Sequence, residues 1–236
     1  IENRPLPSDF IGELRPYQAR GQAWMHFLVD QGFGACLADD MGLGKTVQVL
    51  ALLLHRGADG GGGPHLVVAP TSVCANWARE IGRFAPSLRV IEHAGRDRSS
   101  LLDAAAEGVV VVASYALLHE DADLLAKVAW DVCVLDEAQF IKNAHTERAR
   151  AAFRLSARQR VALTGTPVEN HLRDLWSILD FAEPGLLGGE ARFGRAFASR
   201  IRRGDEDVRQ QSYHNRIDVM DEQLTEYLKR DHAIGK

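Results

Sequence analysis

Paired cysteines are missing from this sequence. Its three, Cys36, Cys74 and Cys133, lie far apart, and none belongs to the C-x-x-C spacing that structural zinc or a dithiol redox site needs. Two sit inside apolar, strand-like runs and read as small buried hydrophobes in a reducing compartment. Long hydrophobic runs are missing too. No stretch approaches the roughly 20 apolar residues that span a bilayer, and the opening Ile1-Glu2-Asn3-Arg4-Pro5 has no apolar signal-peptide core. These absences lead to the expectation of a cytoplasmic protein, and a start at Ile1 rather than Met to that of a fragment of a longer chain. Nor is there a basic excess. With 28 Lys and Arg against 32 Asp and Glu, the net charge is -4, unlike a free-standing nucleic-acid binder. A local basic groove stays open, because phosphate responds to where cations sit rather than to their total. No internal repeat is visible.

What is present suits one large core and a small appendage: 236 residues, 46% hydrophobic and 25% charged. From about residue 34 to 182, short apolar runs alternate with helix-length amphipathic stretches, the pattern of β-α units around a mainly parallel sheet. Strands are expected at 34–38, 65–69, 88–92, 108–113, 131–135 and 160–164. Several are Val-rich without polar alternation, as in strands covered on both faces. Helices are expected at 15–30, 45–55, 73–84, 99–106, 121–128, 145–155 and 172–181, and the tract 60–63 reads as a flexible surface loop. The composition shifts after Pro184-Gly185. The expected division is a sheet domain over 1–185 and a helical protrusion or divergent tail over 186–236.

Two stretches carry chemistry. Leu37-Ala38-Asp39-Asp40-Met41-Gly42-Leu43-Gly44-Lys45-Thr46 follows an apolar strand and opens the amphipathic run from Val47 to Leu54, the strand-loop-helix setting of a phosphate-binding loop. A helix N-terminus exposes unpaired N–H groups, and glycines at 42 and 44 let the backbone close around a polyphosphate. Lys45 is then placed for the β- and γ-phosphates and the Thr46 hydroxyl for Mg2+. The general pattern wants glycine where Asp39 stands, so this match alone is incomplete. The second stretch, Trp130 to Gln139, is an apolar strand ending in Asp136-Glu137. Ligands of open α/β sheets bind at the carboxyl ends of strands, where both acids arrive. Asp136 is the candidate metal ligand and Glu137 the candidate base, since one carboxylate cannot serve both roles.

With these boxes aligned, the chain resembles helicase superfamily two, and in detail its SWI/SNF-type branch. Leu14-Arg15-Pro16-Tyr17-Gln18 resembles the Q motif, implying that Gln18 reads adenine. The loop wording from Ala38 to Thr46, through Asp39, Met41, Gly42, Leu43 and Gly44, is the family's own, including Asp where the general pattern has glycine. Val67 to Ser72, followed by Asn76-Trp77 and Glu80, resembles a motif that touches nucleic-acid backbone, which implies Thr71 and Ser72 as contacts. Val112-Ala113-Ser114-Tyr115 resembles the next such motif, with Ser114 where Thr is commoner, and implies Ser114 and Tyr115. Thr164-Gly165-Thr166-Pro167, then Glu169-Asn170 and Leu175-Trp176, resembles the motif coupling the γ-phosphate to lobe movement. Trp77 and Trp176 read as packing residues. The Gln139 ending, with Ile141-Lys142-Asn143, is similar to a bacterial or archaeal branch.

The resemblance implies an α/β, RecA-like P-loop lobe using ATP and Mg2+, duplex DNA as its partner through backbone contacts, and a nucleoid-associated location in a bacterium. It also implies a second RecA-like lobe with arginine fingers, whose motifs this sequence does not contain. Residues 205–236 do not match the family's basic connector on reading. An RNA helicase of the same superfamily, or a non-motor interaction module that keeps its P-loop, remains as an alternative.

Overall fold

Val-rich runs without polar alternation form the middle of one parallel sheet, as strands covered on both faces must. In the computed structural model, which describes residues 4–58, 62–95, 98, 103–166 and 172–201, six strands lie in the order β1-β6-β5-β2-β4-β3. They are β1 (Ala35–Leu37), β2 (His65–Ala69), β3 (Arg89–His93), β4 (Val109–Ser114), β5 (Trp130–Leu135) and β6 (Ala157–Leu163). Every pairing is parallel. Every residue of β2, β4 and β5 is buried, whereas β3 closes one edge with Arg89 exposed to water.

The helices are α1 (Pro16–Asp30), α2 (Lys45–Ala58), α3 (Thr71–Phe84), α4 (Tyr115–Glu120), α5 (Ala122–Leu125), α6 (Glu147–Phe153), α7 (Leu172–Ala182) and α8 (Glu190–Ile201). Pro16 opens α1, where its missing N–H costs nothing. One expected helix differs: in place of 121–128 there are α4 and the single turn α5. Ser114 starts α4 by accepting a hydrogen bond from the Leu117 N–H, and a 3-10 turn, Ala138–Ile141, follows β5. The helix expected at 99–106 and the tract 60–63 fall partly outside the described residues, as do Pro167, Glu169 and Asn170 altogether.

The chain divides into two compact units, Ile1–Gly188 and Gly189–Lys236, and α8 is the described part of the second. Within the first, the strand order positions the site. All strands run the same way, so the carboxyl ends of β1, β6 and β5 are successive neighbours on one edge of the sheet. At 4.7 to 4.9 Å between strands, the tips of β1 and β5 are about 10 Å apart.

Candidate active site

The loop between β1 and α2 is shaped by two left-handed glycines, Gly42 (φ 82°) and Gly44 (φ 76°). A Cβ on Gly44 would also stand 2.5 Å from Gln18 Nε2, so glycine alone fits there. A Cβ on Gly42 would meet nothing within 4 Å. Lys45 is buried, and its ammonium donates to the carbonyls of Asp39 at 2.7 Å and Asp40 at 3.1 Å. The loop thus folds a cation over the N-terminus of α2, with the half-buried Thr46 next in the first turn. Gln48 Nε2 donates to Asp39 Oδ2 at 3.1 Å, which ties Asp39 to α2. Met41 and Leu43 are exposed.

Gln18 spans from α1 to this loop. Its Oε1 accepts from the Arg15 N–H at 2.9 Å and its Nε2 donates to the Leu43 carbonyl at 2.9 Å. Tyr17 donates its hydroxyl to the same carbonyl at 3.0 Å. A carboxamide has a second lone pair and a second N–H, so the donor and acceptor pair that an adenine edge requires is still there.

At the tip of β5, Asp136 is held on three sides. Trp77 Nε1 donates to its Oδ2 at 2.7 Å, the Glu137 N–H donates to Oδ1 at 2.9 Å, and the Tyr115 hydroxyl donates to its main-chain carbonyl at 2.8 Å. Burial pushes the Asp136 carboxyl above its ordinary range; the Trp77 hydrogen bond pulls it down, neighbouring Glu137 pushes it up, and the Glu137 N–H and the Lys45 ammonium pull it down. The last effect marks the loop and the strand tip as electrostatic neighbours. Glu137 (φ 50°, ψ 54°) is the one non-glycine residue with positive φ among the described residues, a conformation costing about 1–2 kcal/mol. Such strain persists where surrounding contacts fix it.

β6 joins the two. The Thr164 N–H donates to the Leu37 carbonyl of β1 at 3.1 Å. Its hydroxyl donates to Gln139 Oε1 at 2.9 Å, and Gln139 Nε2 donates to Glu137 Oε2 at 2.7 Å. The Thr166 N–H donates back to Thr164 Oγ1 at 3.1 Å, and a Cβ on Gly165 would meet Met41 Cγ at 2.7 Å. The Lys45 loop, the Thr164 hydroxyl and the Asp136 and Glu137 carboxylates therefore lie along the carboxyl edge of neighbouring strands. That donor set fits a triphosphate with a divalent cation, with Thr46 and Asp136 as the metal's candidate protein ligands.

The SNF2-related domain family matches residues 17–231 of the sequence. The chain belongs to this family. It is 48% identical over 212 residues to the Bacillus subtilis protein YwqA, described as an ATP-dependent helicase/translocase, covering 88% of this chain and 23% of that one. To the human chromatin-remodeling ATPase INO80 it is 36% identical over 212 residues, covering 85% of this chain and 14% of that one. The Sulfolobus solfataricus SWI2/SNF2 ATPase core, solved in complex with dsDNA, superposes with a TM-score of 0.79 at 42% identity, covering 89% of this chain and 44% of that one. The chain thus spans less than a quarter of these curated relatives. Residues 205–231, which did not match the family's connector on reading, fall within the SNF2-related span.

The two SNF2-related segments expected to touch nucleic acid are placed differently. Thr71 and Ser72 are exposed in the first turn of α3. The side chains of Ser114 and Tyr115 are buried. Ser114 is 6% exposed and spent on capping α4, and Tyr115, in the first turn after it, is 2% exposed and faces the tip of β5. The Tyr115 ring stacks on Phe140 with centroids 5.0 Å apart, beneath the Arg148 guanidinium. Burial holds its hydroxyl well above its usual range, and Asp136 adds to the effect. Trp77 was expected to pack, and it does, at 0% exposed. The sequence did not disclose that its N–H is spent on Asp136: the helix expected at 73–84 carried no sign of the acceptor. Trp176 Nε1 donates to the Gly188 carbonyl at 3.0 Å.

Proposed function

We propose that this chain is the nucleotide-binding lobe of a DNA-dependent ATPase that couples ATP hydrolysis to movement along duplex DNA and to remodelling of protein complexes bound there. The observation that carries the proposal is the hydrogen-bonded link from Thr164 through Gln139 to Glu137 at the tips of β6 and β5, beside the β1 strand whose loop leads into Lys45. Membership of a family whose relatives include a helicase/translocase and a chromatin-remodeling ATPase supports it, as does likeness to an ATPase core that was solved with dsDNA.

The roles follow from the chemistry of each group. Gln18 reads the adenine edge. Lys45 exchanges the Asp39 and Asp40 carbonyls for the β- and γ-phosphates, which attract an ammonium more strongly than neutral oxygens do. Thr46 and Asp136 would hold Mg2+, which would supply positive charge to the phosphates and favour the ionised form of the buried Asp136. Glu137 orients the attacking water and accepts its proton. Gln139 and Thr164 link Glu137 to the tip of β6, so that the presence of a γ-phosphate alters the contacts of the Thr164-Gly165-Thr166 segment. Thr71 and Ser72 hold phosphate and sugar, which makes binding sequence-tolerant and salt-sensitive. An arginine finger from a second lobe is worth on the order of 10³ to 10⁵ in rate, so this lobe alone hydrolyses ATP slowly.

ATPase of the full-length protein, measured with duplex DNA, single-stranded DNA and RNA, tests the proposal. Stimulation by duplex DNA is expected. Stimulation by RNA and not by duplex DNA would give the track to RNA, and no nucleotide binding at all would leave an interaction module.

A further inference from the structure

The two segments expected to touch nucleic acid each send one side chain into the active site, and both arrive at the same residue. From α3, six positions after Thr71, the indole of Trp77 reaches Asp136 Oδ2 at 2.7 Å. From the start of α4, Tyr115 reaches the Asp136 carbonyl at 2.8 Å. Trp77 and Tyr115 are 0% and 2% exposed, so water cannot readily replace either donor. We infer that Trp77 and Tyr115 are positioning residues of the magnesium site: Trp77 fixes the rotamer of the Asp136 carboxylate, and Tyr115 fixes the peptide that turns Glu137 into its left-handed conformation. The inference rests on the function proposed above.

The division of labour comes from which atom each one holds. Asp136 has its Oδ1 engaged by the Glu137 N–H, and Trp77 is the side-chain donor on Oδ2. Losing that donor frees the carboxylate to rotate away from the metal. Tyr115 leaves the carboxylate alone. It holds the oxygen of the peptide between Asp136 and Glu137, and rotation of that peptide is what would release Glu137 from φ 50° and move its carboxylate from the position of the base. Partners one shell out from a metal commonly matter at the level of 10- to 100-fold in affinity or activity.

The test uses the full-length enzyme and two readouts: affinity for a fluorescent ATP analogue with Mg2+ and with EDTA, and steady-state kcat. For Trp77→Phe, the gain in affinity conferred by Mg2+ is expected to shrink by on the order of tenfold, with the EDTA affinity unchanged. For Tyr115→Phe, both affinities are expected to stay within twofold and kcat to fall about fivefold, the size of one lost hydrogen bond. Should Trp77→Phe not fold, the benzothiophene analogue of tryptophan at position 77, in which sulfur replaces the N–H at nearly the same volume, decides the matter. An unchanged Mg2+ gain in the Trp77 variant overturns the inference, as does loss of affinity with Mg2+ and EDTA alike, which is the mark of a purely structural role. An unchanged kcat in Tyr115→Phe overturns its second half. A wild-type enzyme that gains nothing from Mg2+ removes the proposed function itself, and the inference with it.

Discussion

Thr164 and Gln139 are joined by a hydrogen bond of 2.9 Å from hydroxyl to side-chain carbonyl, and through the Gln139 amide the contact continues to the Glu137 carboxylate at 2.7 Å. The tip of β6 and the proposed base are thereby one hydrogen-bonded unit. Thr164→Val keeps the shape and removes the hydroxyl. Steady-state ATPase should show kcat down about five- to tenfold, the range of one or so neutral hydrogen bonds, with KM for ATP little altered. A kcat equal to wild type would mean that the link carries nothing to turnover.

Glu137 itself separates binding from chemistry. Glu137→Gln keeps the size and the contact partner of Gln139 but removes the proton acceptor. Nucleotide affinity is expected to persist while kcat falls by about 10² to 10⁴. Normal turnover in this variant would take Glu137 out of the role of base.

The loop glycines differ in a way that affinity can read. Gly42 needs only its φ of 82°, a penalty of about 1–2 kcal/mol for alanine. Gly44 needs its φ of 76° and also the space in which a Cβ would meet Gln18 at 2.5 Å. Gly44→Ala should therefore weaken ATP binding more than Gly42→Ala, and should also erode the preference for adenine over guanine, which Gln18→Ala is expected to weaken. Equal losses from the two alanines, or a base preference unmoved by Gln18→Ala, would contradict the bridge from α1 to the loop.

Away from the site, a buried charge cluster ties α2 to the sheet. Arg56 grips Asp131 with two hydrogen bonds, at 3.0 and 2.8 Å, and His65 Nδ1 lies 3.9 Å from the same carboxylate. Burial is the main cause that lowers the His65 pKa to about 4, against an opposing pull from Asp131 and with a smaller push from Arg56 in the same direction. Between about pH 6.5 and 4 the unfolded chain holds a proton on this histidine and the folded chain does not. Stability is therefore full above the unfolded pKa and lost as pH falls through this window, by up to about 1.4 kcal/mol per pH unit. Urea unfolding from pH 7 to 4.5 should show a shallower decline for His65→Gln than for wild type. Parallel declines would show that His65 titrates normally.

Much of this was legible in the residues. β2, β4 and β5 announce themselves as Val-rich runs, because strands covered on both faces have no reason to alternate. The Gly42-Leu43-Gly44-Lys45-Thr46 turn and the Asp136-Glu137 tip are local patterns, and the sheet order supplies the rest of their geometry. What the residues concealed is long-range. A tryptophan on the inner face of an amphipathic helix reads as core, and the 59-position gap between Trp77 and Asp136 leaves no periodic trace. Tyr115 reads as a loop residue until Ser114 is recognised as an N-cap three positions before Leu117, a signal that was present and would have placed a helix there. The left-handed Glu137 could not be foreseen, since strain at a non-glycine residue is set by its surroundings rather than by its type.

If Lys45 and Asp136 act on one bound nucleotide, calorimetric titration with ATP and Mg2+ shows it through a double-mutant cycle. Lys45→Ala and Asp136→Asn should each weaken binding by tenfold or more, about 1.4 kcal/mol. The double variant should lose less than the sum of the two, because each change cripples the same complex. Strictly additive losses, or an Asp136→Asn variant that binds as wild type does, would place the two residues in separate sites.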